Sequence, residues 1–148
     1  MPASLLLPIV LVLAAGSMMA IQPPTNAYLA RASGSVMFAA LLSFVVGTVV
    51  LSALTLATQR PALAPLRDVP WYAWAGGLYG AFFVTVATYA APRLGIASML
   101  TIAIAGQMIA ALVIDHYGAL GLDRSPVTPG RIAGALLVIG GVLLVRRG

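Results

Sequence analysis

The fold class this sequence predicts is an all-α membrane protein of five transmembrane helices. Three observations carry that reading. The chain is 61% hydrophobic and only 7% charged, with a mean hydropathy of +1.05, whereas a soluble domain is about one quarter charged. Apolar runs of about 20 residues recur, the length a helix needs to cross a bilayer. Short clusters of proline, glycine and arginine separate them, and these residues end helices or flank membrane spans. The 148 residues read as a single transmembrane domain with little chain outside the bilayer.

The first span is expected over residues 4–30. Its start has no basic side chain, so it reads as a retained span and not as a cleaved signal segment. Pro23 and Pro24 lack N–H donors and would kink or break it. If the helix stops there, Gln22 and Asn26 are loop residues. If it continues, the two are four apart, share a face, and the carbonyls freed by the prolines need partners in protein or a wet cavity. Gly34-Ser35 opens the second span, 35–58, where Ser43, Gly47 and Thr48 read as helix-packing positions.

Three prolines, Pro61, Pro65 and Pro70, mark the next connection. Trp71, Tyr72 and Trp74 then start the third span, 71–91, as an aromatic belt at the water interface. Gly76 and Gly80 form a small-x-x-x-small ridge on which another backbone could close. Tyr79, Phe82, Phe83 and Tyr89 are either an aromatic pocket or lipid-facing. Pro92 to Gly95 is too short for anything but an antiparallel hairpin into the fourth span, 96–117. Thr128-Pro129 reads as an N-cap followed by proline at the first helical position. The fifth span, 129–146, is about 27 Å long at 1.5 Å per residue, with Arg131 expected to snorkel to the headgroups.

The fourth span holds the polar anomalies. Gln107 lies midway along it, and Asp115 is the one acid in any apolar segment. An aspartate at the bilayer centre costs about 2.5–3.5 kcal/mol, and less near the interface. Asp115 is therefore either a charge-pairing or coupling residue or a solvated helix end before Tyr117-Gly118. Arg124 and Arg131 are the nearest arginines able to pair with it.

Catalytic chemistry has little to work with. The chain has one histidine, no cysteine and three acids, all aspartate. It carries no HExxH, P-loop or dinucleotide motif, so neither an enzyme, a metal site nor a cofactor is expected. The net charge of +5 comes from arginines spread singly or in pairs. That pattern fits span flanks and not a nucleic-acid stripe.

Ala14-Ala15-Gly16, Gln22, Asn26, Ser43 to Gly47, Gly76 to Val84, Leu94-Gly95, Gly106-Gln107 and Ile114 to Gly118 resemble the YdcZ-type family of the drug/metabolite transporter superfamily. The resemblance covers essentially the whole chain. It implies a five-span bacterial inner-membrane exporter or permease with a DMT-like bundle, related to the small multidrug resistance transporters. Gly134 and Gly141 resemble the glycine pattern those relatives use for dimer contact. The relatives carry a membrane-embedded glutamate that couples drug to protons. This chain has no glutamate, so proton-coupled export of cationic drugs does not carry over.

Two functional readings follow. In the first, a small organic solute crosses the bilayer through a cavity lined by Gln22, Asn26, Tyr79 and Gln107, at the interface of an antiparallel homodimer of ten helices. Amides suit a neutral or zwitterionic solute better than a lone cation. In the second, the chain is a non-transporting assembly or lipid-handling subunit whose polar groups merely join helices.

Overall fold

A computed structural model describes residues 5–58 and 64–147. The expected helix start at Ser4 and the connection residues Gln59 to Leu63, with Arg60, lie outside them. Among the described residues there are five α-helices: α1 Leu6–Ser33, α2 Val36–Thr58, α3 Gly76–Leu94, α4 Ile96–Tyr117 and α5 Pro129–Arg147. Three of them, α1, α2 and α4, are long and apolar enough to cross a membrane. The helices fall into two compact units, Met1–Arg93 and Leu94–Gly148.

In the first unit α1 runs unbroken through Pro23 and Pro24. The prolines cannot donate to the carbonyls four residues back, those of Met19 and Ala20, yet the helix continues for nine residues after Pro24. Gly34 ends it at φ +72°, a left-handed conformation that glycine adopts without strain. Ser35 then caps α2, its Oγ accepting from the Phe38 N–H at 3.2 Å. Five of the nine buried positions described in this unit are alanine: Ala27 on α1, Ala39 and Ala40 on α2, Ala87 and Ala91 on α3. Small side chains let helices approach closely where no hydrophobic drive separates protein from lipid. Large apolar side chains such as Leu11, Leu51 and Phe82 point outward, as a lipid-facing surface requires.

The third helix begins later than its sequence indicates. Trp71–Ala75 is a 3-10 turn, with the Ala73 N–H bonded to the Pro70 carbonyl at 3.0 Å, and the α-helix proper starts at Gly76. Tight 3-10 turns are common at helix N-termini. At its other end α3 continues through Pro92 to Leu94, and the connection to α4 shrinks to Gly95 at φ +78°. The glycine ridge of α3 also differs from expectation. A Cβ on Gly80 would meet the Phe44 ring at 3.2 Å, while one on Gly76 would meet nothing. An aromatic side chain, not a backbone, occupies the approach at Gly80.

In the second unit α4 packs on α5. Gly118 ends α4 at φ +60°. A Cβ there would lie 3.1 Å from the Leu122 carbonyl oxygen and 3.2 Å from Arg124 Cα. Backbone atoms give way far less readily than side-chain tips, and the left-handed conformation itself costs a non-glycine residue about 1–2 kcal/mol. Gly118→Ala should therefore lower the melting temperature by several degrees. Gly16→Ala in α1, where the added methyl meets nothing, should be neutral or stabilising. Equal melting temperatures for the two variants would refute this account of Gly118.

Candidate functional site

Along α1, Gln22, Asn26 and Ala30 lie four apart on one face. At one end of that stripe Gln22 lines a cleft of about 210 Å³ together with Ser43, Phe44, Gly47 and Thr48 of α2. Ser43 and Thr48, read from the sequence as packing residues, thus open onto a cavity beside an amide. Their signal was present as hydroxyls within an apolar run, but hydroxyls there bond their own helix as readily as a solute.

Asn26, one turn further along, is only 3% exposed. Among the described residues its Nδ2 has no hydrogen-bond partner. An unpaired buried donor costs about 1–3 kcal/mol, so this amide is poised for an acceptor that the described residues do not supply. Thr88 of α3 is equally buried, but its hydroxyl donates to the Val84 carbonyl at 2.7 Å. No sequence pattern marks Thr88, because threonines bonded back to their own helix leave no periodic trace.

At the other end of the stripe, Ala27, Ala30 and Arg31 of α1 meet Val36 of α2 and Thr88 and Arg93 of α3 around a second cavity of about 390 Å³. The Arg93 guanidinium stacks on the Tyr89 ring at 3.6 Å and donates to the Tyr89 carbonyl. Arg31 lies 5.9 Å from the Tyr28 ring.

The other residues singled out in the sequence are placed differently. Tyr79 is 65% exposed on α3, and Phe82 and Tyr89 are exposed as well, so these three rings enclose no pocket among the described residues of the first unit. Gln107 belongs to the second unit and is exposed on α4. Gly134 and Gly141 lie on α5, where a Cβ at either meets nothing.

Asp115 sits in the last turn of α4 and pairs with Arg131 of α5, Oδ2 to Nη1 at 3.2 Å. Arg131 thus turns back to its own hairpin instead of reaching outward, and its Nη1 also donates to the Ser125 carbonyl at 3.3 Å. Arg124, the other possible partner, donates from Nε to the His116 carbonyl at 3.0 Å. Each member of the ion pair stands at the wrong end of its helix: an acid at a C-terminus and a cation at an N-terminus oppose the macrodipole by about 0.3–1 kcal/mol each. Pairing offsets both. The two side chains are each 39% exposed, so solvent screening limits the pair to roughly 1 kcal/mol or less. Asp115→Asn should lower the melting temperature by about 1–4 °C, and adding Arg131→Gln should restore part of that loss. A single variant that melts like wild type would show the pair contributes nothing.

The chain matches the family model described as "Putative inner membrane exporter, YdcZ" over residues 7–144. It is 28% identical over 137 residues to "Inner membrane protein YdcZ" of Escherichia coli (strain K12), covering 91% of each chain. No solved structure matches it.

Proposed function

This chain belongs to the YdcZ family of inner membrane exporters, and from that premise we propose that it carries a small organic solute across the bacterial inner membrane without covalent chemistry. The observation that carries the reading is the polar stripe on α1: Gln22 facing a cleft with Ser43 and Thr48, and Asn26 buried with a free donor. Donors and acceptors left open inside apolar spans are costly, and a passing solute gives them partners.

The full path takes five spans per chain and two chains inserted in opposite orientations. Gln107 and Tyr79, exposed within one chain, then join Gln22 and Asn26 along a cavity at the dimer interface. Gly134 and Gly141, with open space where a side chain would be, supply the close helix contact between copies. Asp115, held by Arg131, serves charge pairing at the end of that path. Amide lining favours a neutral or zwitterionic solute. The test is solute flux in proteoliposomes made with the purified protein. Flux above protein-free vesicles for at least one zwitterionic or neutral organic solute is the expected result. Its absence across a broad solute panel would overturn the reading.

A further inference from the structure

We propose that the cavity between the C-terminal turns of α1 and α3 binds an oxyanion, a carboxylate or a phosphate, through Arg31 and Arg93. Both arginines lie in the last turn of their helices and line the same space of about 390 Å³, with Ala27, Ala30, Val36, Thr88 and Pro92 forming the rest of its walls. Among the described residues of that unit, neither guanidinium has a carboxylate within ion-pair distance. The one described acid of the unit, Asp68, precedes α3, at the opposite end of that helix from Arg93.

Charge arithmetic decides the sign of the site. Each helix C-terminus contributes roughly half a negative charge. Two such ends against two full positive charges leave a net of about +1. A guanidinium has five N–H donors and no acceptor. The hydrogen bond from Arg93 to the Tyr89 carbonyl uses one N–H, and its stacking on the ring fixes the plane of the fork. A pre-oriented fork suits the paired oxygens of a carboxylate or phosphate. Asn26 points to the same class of ligand. It lies one turn from Ala30 on the same face, and among the described residues its buried donor, Nδ2, has no partner. The unspent groups along this stretch of the unit therefore offer N–H donors to an incoming acceptor.

The anion has two possible sources, a free solute or the headgroup of an acidic phospholipid. If the chain transports, the free form is the anionic end of its cargo. Binding itself does not rest on transport, because it is read without flux.

The protein is purified in an uncharged maltoside detergent. Its melting temperature is followed against sodium phosphate and sodium succinate, with ionic strength held constant by sodium chloride. A parallel arm uses nanodiscs of phosphatidylcholine with and without phosphatidylglycerol. A ligand that binds only the folded state raises the melting temperature with concentration, so a saturable rise of about 2 °C or more is expected. Arg31→Gln and Arg93→Gln should each abolish it, and Arg67→Gln should leave it intact. Arg31→Lys and Arg93→Lys keep the charge and lose the fork. They should shift the response to at least about threefold higher concentration. A rise with phosphate or succinate in detergent assigns the site to a free solute. A rise only with phosphatidylglycerol, lost in the same variants, assigns it to a headgroup. No rise in either arm, or a rise that survives in the arginine variants, overturns the proposal, whatever the flux assay reports.

Discussion

Reporter fusions to the C-terminus will give signal on both sides of the membrane, one from a reporter active only in the cytoplasm and one from a reporter active only outside it. The reason is a tie. In the proposed five-span arrangement, Arg31, Arg93, Arg146 and Arg147 fall on one side, and Arg60, Arg67, Arg124 and Arg131 on the other. Orientation follows the excess of Lys and Arg in short loops on the cytoplasmic side, and acids contribute little. Here the excess is zero, so insertion has no electrostatic reason to choose. Pairing two opposed copies creates across two chains the inverted repeat that many transporters contain within one. Placing two lysines beside Ser4 should break the tie, drive the population to one orientation and reduce flux at least about tenfold, since most copies then lack an opposed partner. A wild-type C-terminus found on one side only would refute the dual insertion.

Gln107→Leu should abolish flux, or lower it at least about tenfold, and leave the melting temperature within about 1 °C of wild type. The two halves of this expectation come from one observation. Gln107 is exposed on α4, so the chain's own packing does not need its amide, and leucine is a good helix former in its place. In the proposed dimer the same amide faces the solute. Each hydrogen bond lost there costs about 0.5–1.5 kcal/mol, more when a polar group of the solute is left unpaired. Wild-type flux from the leucine variant would remove Gln107 from the path. A collapse in stability would assign it a packing role instead.

The helices are legible in the sequence because lipid imposes a simple code. Apolar runs must be long enough to span, and breakers must stand between them, so Gly34, Gly95 and Gly118 mark ends that the backbone observes with positive φ. Where two local rules compete, the sequence leaves the outcome open. Pro23-Pro24 reads equally as a stop or as a kink, and only the helix around it shows that α1 continues. The aromatic cluster at Trp71 reads as helix, yet the backbone there winds as a 3-10 turn. Side-chain partners are less legible still. Arg124 and Arg131 are equivalent partners for Asp115 by position. The turn after Gly118 makes the difference, since it spends Arg124 on the His116 carbonyl. The Gln22 cleft and the burial of Thr88 depend on how three helices lean together, and hydropathy along one chain does not encode that.

The end of α4 has a mechanical consequence. Its terminal carbonyls are taken up by the segment that follows: the Asp115 carbonyl accepts from Gly118 and from Ser125, the latter at 2.8 Å, and the His116 carbonyl accepts from Arg124. His116 Nδ1 accepts from Val127 at 3.2 Å, and the Asp115–Arg131 pair spans the same gap. A connection clasped at this many points cannot serve as a swivel. Bending α4 away from α5 would break several of these bonds together, whereas rotating the hairpin as one body breaks none. In any cycle of opening and closing, α4 and α5 should move as one lever.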